Sequence, residues 1–130
     1  ARTAPVAAPA KVSEDAVEAA ARAIEAGGRP LIVMGTWAVR EKPMLHAARI
    51  VAKTGAQVRA EGSNGRIERG VGRMALERVP YPVDVALAAT KGVTHLILVG
   101  AKAPVAFFAY PGKPSILYPP KAEVVTLANF

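Results

Sequence analysis

Two short stretches carry apolar residues without alternation, Leu31-Ile32-Val33-Met34 and Leu96-Ile97-Leu98-Val99, and each is followed at once by a glycine, Gly35 and Gly100. A run that is apolar at every position suits a strand covered on both faces, as in a parallel sheet. The pattern predicts Leu31–Met34 and Thr94–Val99 as adjacent central strands with glycine at their exits. In an open parallel sheet, the crevice at the carboxyl ends of the strands, where the strand order reverses, receives ligands. That places Gly35, Thr36, Trp37, Gly100, Ala101 and Lys102 as candidate crevice residues, bordered by the loop Ala101 to Tyr110.

The remaining periodicities supply the layers. Ser13 is a helix cap followed by Glu14 and Asp15, and Val17, Ala20, Ala21 and Ile24 recur on one face until Gly27-Gly28, so a helix is expected over Asp15 to Ala26. A second helix is expected from about Pro43 to Lys53, with Met44, Ala47, Ala48 and Val51 inward and Thr54-Gly55 as its stop. Gln57 to Ala60 then reads as a short strand, completing a strand-helix-strand unit whose strands are parallel. Glu61 to Pro82, with four glycines and two prolines, has no sustained period and reads as a long loop that is functional or rests on a partner. Val83 to Thr90 is a short helix, and Ser115–Leu117 and Glu123–Leu127 are two further short strands. These elements predict an α/β fold: a Rossmann-like three-layer sandwich with helices on both faces of a mainly parallel sheet of about five strands. Ala1 to Lys11, rich in alanine and proline, reads as an interdomain linker, giving a linker over residues 1–12 and one domain over 13–130 of a longer chain.

Composition narrows the function more than it defines it. At 130 residues and 52% hydrophobic, the chain is sized for one core. No run approaches the roughly 18 apolar residues of a membrane span, so a soluble protein without membrane contact is expected, with the cytoplasm as the default location. The absence of cysteine excludes disulfides and thiolate metal sites. A net charge of +7 raises a basic nucleic-acid-binding module as one reading. Against it, Arg59, Arg66, Arg69, Arg73 and Arg78 are interleaved with Glu61, Glu68 and Glu77, which favours a solvated or interface face, and aromatic residues do not alternate with them as stacking platforms would.

Candidate chemistry is sparse. Gly70-Val71-Gly72-Arg73-Met74-Ala75 matches the spacing of a dinucleotide fingerprint but does not follow a strand directly, so it reads as a loop. His46 and His95 lack metal-ligand spacing, and His95, opening a buried strand, is expected to meet a backbone carbonyl. Ser13, Ser63 and Ser115 lack the setting of a nucleophile elbow. No catalytic and no metal-ligating residue is assigned. Trp37, Phe107 and Phe108 are read as anchors against a neighbouring domain in preference to walls of a ligand crevice.

Several segments in this order carry a resemblance: Gly27-Gly28-Arg29-Pro30 after the first helix, Pro30 to Gly35, Ala52-Lys53-Thr54-Gly55-Ala56, and Leu96 to Ala101. From about Ser13 to Leu127 the chain resembles the central domain of thiamine-diphosphate-dependent 2-oxo-acid enzymes, the acetolactate synthase and benzoylformate decarboxylase superfamily. The loop Gly100 to Val105 with Tyr110-Pro111-Gly112 looks closer to the decarboxylase-like branch. The resemblance implies a parent enzyme, an acetolactate synthase-like transferase or a 2-oxo-acid decarboxylase, whose thiamine diphosphate and magnesium are bound by the two flanking domains. This piece would then be non-catalytic by itself. It also implies those flanking domains as partners and a homo-oligomeric parent. Some members hold FAD with an arginine and acidic residues in the loop matching Ala101 to Phe108. Only Lys102 is charged there, so the loop lacks the arginine and acidic residues of that contact, and whether FAD is bound stays open. A stand-alone FAD- or NAD-binding domain is the alternative reading.

Overall fold

The structure is a computed structural model that describes residues 3–5, 8 and 10–129; residues 1, 2, 6, 7 and 9 of the expected linker, and residue 130, lie outside them. Four strands form one sheet: β1 (Pro30–Met34), β2 (Gln57–Ala60), β3 (His95–Val99) and β4 (Glu123–Ala128). Their order is β2-β1-β3-β4 and every pairing is parallel. The sheet is thus all-parallel with four strands where about five were expected. Ser115–Leu117 does not join it; Ile116 makes only an isolated antiparallel bridge to Val105. Leu117 N–H donates to the Pro104 carbonyl and Ala106 N–H to that of Ser115, so this stretch satisfies its backbone on the loop beside it.

Alternate residues of the central strands enter two separate cores, which is why their apolar runs are continuous. Ile32, Met34, Ile97 and Val125 pack under α1 (Glu14–Glu25) and α2 (Glu41–Thr54), meeting Ala20, Ala23, Met44 and Ala47. Leu31, Val33, Leu96 and Leu98 face the other way, against Val83 and Ala86 of α3 (Val83–Ala89) and against Val79, Val93 and Leu117. Helices cover both faces, as expected. Leu31 and Leu96 are fully buried and lie side by side in the register. Burial of such a side chain contributes about 1.5–3 kcal/mol.

Helix limits follow caps, one of which is tertiary. Ser13 Oγ accepts from Ala16 N–H at 3.2 Å, and Gly55 takes the left-handed conformation, φ 72°, that closes α2. α2 begins at Glu41, two residues before Pro43, because the long loop supplies its cap. Glu41 N–H donates to Glu68 Oε2 at 2.8 Å, and Glu68 N–H returns to the Val39 carbonyl. A negative side chain at that end is also favoured by the helix dipole.

The loop over residues 61–82 has no helix or regular strand, yet it is fastened. Leu76 and Val79 are buried, and Arg78 forms a parallel bridge with Ala60 at the sheet edge. Arg59 pairs with Glu77 at 3.2 Å, Arg73 with Glu41 at 3.4 Å, and Arg78 donates to the Asn64 carbonyl. Much of the arginine charge in this stretch is thereby engaged within the fold. Gly70 and Gly72 lie in a turn of this loop, away from any strand-to-helix junction. At the other end of the sheet, Arg29 ties three connections together. Its N–H donates to Thr94 Oγ1 (2.9 Å), its Nε to Gln57 Oε1 (3.2 Å) and its Nη1 to the Lys91 carbonyl (2.7 Å). Among the described residues no helix is long and apolar enough to cross a membrane.

Candidate functional site

The chain runs from β1 to β2 on one side and returns past β1 to β3 on the other, so strand order reverses between β1 and β3. At their carboxyl ends the two strands all but touch. A Cβ on Gly35 would stand 2.5 Å from the Gly100 carbonyl oxygen and 2.8 Å from Glu61 Oε2, and one on Gly100 would stand 2.8 Å from Thr36 Oγ1. Gly100 has φ 59°, a conformation side chains avoid, whereas Gly35 is extended and is glycine for lack of space alone. Thr36 holds a left-handed φ of 43° despite its β-branch. Two bonds hold it there: its N–H to Asn64 Oδ1 (2.9 Å) and its Oγ1–H to the Gly100 carbonyl (3.0 Å). Asn64 is buried and donates through Nδ2 to the Arg66 carbonyl at 2.8 Å, so its amide is oriented from both sides.

Glu61 links three strand ends. Directly after β2, it donates its N–H to the Met34 carbonyl (2.8 Å), and Lys102 N–H donates to its Oε1 at 3.4 Å. Beside it opens a cleft of about 360 Å³. Glu61 and Lys102 stand at its charged end, and Pro80, Tyr81, Val105 and Phe107 form much of its apolar wall. Four aromatic rings continue outward from that wall: Tyr81 to Phe107 at 6.2 Å, Phe107 to Phe108 at 4.7 Å and nearly perpendicular, Phe108 to Tyr110 at 6.2 Å. Phe107 is 74% exposed and Trp37 50% exposed. Tyr110 has its phenol pKa raised, first by a side-chain hydrogen bond with Tyr81, then by burial and by its electrostatic interaction with Tyr81.

Of the six crevice candidates, Lys102 lines the cleft. Gly35, Thr36 and Gly100 form the tight seam next to it, Ala101 is buried, and Trp37 lies out on a short 3-10 turn (Thr36–Val39). Sequence reasoning passed over Glu61, Asn64 and Tyr81. Glu61 had a usable signal, since it is the first residue after β2, as Gly35 is after β1 and Gly100 after β3. Asn64 and Tyr81 had none, being placed by the loop's own path.

Chemically the cleft is suited to binding. It offers one carboxylate, one ammonium, apolar walls and aromatic faces, and no histidine lines it beside Ser63. His46 is exposed on α2. His95 sits at the amino end of β3, and its Nδ1 meets Thr94 Oγ1 at 3.0 Å, a hydroxyl where a backbone carbonyl was expected, with Glu123 Oε2 3.7 Å from Nε2. Among the described residues no three of His, Asp and Glu come together as a metal set. Toward the magnesium and diphosphate implied by the resemblance, the cleft's lining offers one carboxylate, Glu61, one ammonium, Lys102, and the Ser63 hydroxyl, and no pair of carboxylates.

No protein-family model matches the chain. No solved structure matches it significantly. Among curated proteins, one from Mycobacterium tuberculosis (strain ATCC 25618 / H37Rv) named "Putative acetolactate synthase large subunit IlvX" is 43% identical over 106 residues. That match takes in 82% of this chain and 21% of the relative, so the chain spans about a fifth of the relative's length. Over most of its own length, then, the chain is similar to one portion of a protein so named.

Proposed function

We propose that this chain is the central domain of a thiamine-diphosphate-dependent enzyme acting on 2-oxo acids such as pyruvate, of the acetolactate synthase kind, with a positioning and assembly role. The observation that carries this reading is the 43% identity to a fifth of a protein of that name. The all-parallel α/β sheet, with a cleft beside the carboxyl ends of its central strands, is in keeping with it. Under this reading, thiamine diphosphate and magnesium belong to flanking domains, and the exposed rings of Trp37, Phe107 and Phe108 are covered by them.

The test compares the 130-residue chain with the longer parent chain, each incubated with pyruvate, thiamine diphosphate and magnesium while CO₂ release is followed. Turnover is expected from the parent alone. Turnover by the short chain would overturn the reading, as would a parent that leaves 2-oxo acids untouched. A cofactor-dependent rise in melting temperature with FAD or NAD would instead favour a nucleotide-binding domain.

A further inference from the structure

The meeting of the β1 and β3 exits depends on one chemically labile group. The chain has two asparagines, Asn64 followed by Gly65 and Asn129 followed by Phe130. An asparagine loses its amide when the backbone nitrogen of the next residue closes on its Cγ, and a side chain on that next residue stands in the way. Glycine has none. Neither space nor conformation calls for glycine at position 65, where a Cβ would meet no atom within 4 Å and φ is not left-handed. Gly65 is exposed, whereas Asn64 beside it is buried.

Asn64 is held at three atoms. Its Oδ1 accepts from Thr36 N–H at 2.9 Å, its Nδ2 donates to the Arg66 carbonyl at 2.8 Å, and its own carbonyl accepts from Arg78 Nη1. The first two bonds fix the plane of the amide, so Cγ is not at liberty to turn toward Gly65 N, and burial holds off the water that would take up the proton. We infer that Asn64 is a deamidation site gated by the β1–β3 seam: protected while Thr36 and Arg66 hold the amide, exposed to attack each time the seam opens, and damaging to the seam once it has reacted.

The reaction needs only water. Gly65 N gives up its proton and bonds to Asn64 Cγ, the Cγ–Nδ2 bond breaks, and Nδ2 leaves as ammonia with a proton from solvent. Water then opens the cyclic imide at one of its two carbonyls, giving aspartate, or isoaspartate with the main chain routed through Cβ and Cγ. One water is consumed and one ammonia released, with no change of oxidation state. Either product lacks the Nδ2 donor to the Arg66 carbonyl and places a carboxylate where a buried amide stood. With that side chain no longer fixed from both sides, the hold on Thr36 at its left-handed φ of 43° weakens. The strand exits beside the cleft are thus loosened in one direction only, and the inference does not depend on the enzymatic assignment.

Mass spectrometry of the peptide containing Asn64, sampled over time at fixed pH and temperature, tests it. Opening and closing of the seam are fast beside this chemistry, so the rate reports the population of the open form. The chain unfolded in guanidinium chloride should lose the Asn64 amide at least about tenfold faster than the native chain, the factor being set by the two side-chain bonds that must first open. In that unfolded chain Asn64 should react ahead of Asn129. Gly35→Ala, which forces the strand exits apart, should speed the native reaction at least about fivefold and leave the unfolded one unchanged. If that variant loses its circular dichroism, Arg78→Met, which releases the Asn64 carbonyl, replaces it with the same expectation. Gly65→Ala should all but stop the reaction in both states without lowering the urea midpoint. Native chain carrying the modification, separated by its added negative charge, should unfold at lower urea. A native rate equal to the unfolded one, a rate indifferent to the seam variant or to Gly65→Ala, or a modified chain as stable as the parent would each overturn the inference.

Discussion

Substituting Gly35 by alanine tests whether the meeting of the β1 and β3 exits is as tight as the geometry states. The added Cβ falls 2.5 Å from the Gly100 carbonyl oxygen and 3.2 Å from the Ala101 Cα. An ordinary carbon-to-oxygen contact is about 3.3 Å or more, so the β3 exit must retreat by nearly an ångström. That retreat strains the bond from Gly35 N–H to the Val99 carbonyl (3.0 Å) and the one from Thr36 Oγ1–H to the Gly100 carbonyl (3.0 Å). Overpacking costs about 1–3 kcal/mol, and each weakened bond adds some fraction of about 1 kcal/mol. The expected loss is about 3 kcal/mol. Gly27→Ala is the control: its φ is 80° with no atom within 4 Å of the new Cβ, so it meets only the left-handed penalty of about 1 kcal/mol. Urea unfolding followed by circular dichroism should show the Gly35 variant's midpoint falling further at an unchanged slope. If Gly35→Ala proves no more destabilising than Gly27→Ala, the seam is looser than described and the reasoning fails.

Two further predictions concern single groups at the same end of the sheet. Thr36→Val keeps the strained backbone and the branch but leaves the Gly100 carbonyl without its donor, and should cost about 1–2 kcal/mol; Thr36→Gly relieves the strain and should lie within about 0.5 kcal/mol of the parent, the order being checked by the same urea titration. In alkaline titration followed by phenolate absorbance, Tyr110 should ionise above its ordinary 10.0, because the neutral phenol is the form its neighbourhood favours. The contribution to stability is therefore present below the unfolded value and is lost as pH rises through the folded one. Tyr81→Phe should bring Tyr110 back toward 10.0, and an unchanged titration would show that the bond between the two rings' hydroxyls is not the cause.

How much of this was legible depended on where each residue's partners lie along the chain. β1 and β3 could be read directly, since burial on both faces leaves no polar position from Leu31 to Met34 or from Leu96 to Val99. The glycine exits could be read too, and they do meet. Ser115–Leu117 looked like a strand because Ile116 and Leu117 are apolar, but Pro114 on one side and Pro119-Pro120 on the other leave room for a single bridge. The start of α2 was hidden for another reason. Its cap, Glu68, lies 27 residues downstream, and no local pattern contains it. The same holds at the candidate site, where Thr36 is held by Asn64 from 28 residues away and by Gly100 from 64. Local chemistry such as Ser13 before α1 or Gly55 after α2 was visible in the sequence, and chemistry assembled by the loop over residues 61–82 was not.

The clamp at Arg29 has a kinetic side. Its bonds reach partners 28 residues away at Gln57, 62 away at Lys91 and 65 away at Thr94. Loop closure over such spans is entropically costly, so contacts of this kind mature late, after β1, α2 and β2 have formed from local pieces. Interactions that form after the rate-limiting step slow unfolding more than they speed folding. One exposed arginine thus acts as a latch on the lifetime of the native sheet, holding the amino ends of β1, β2 and β3 in register once they have met.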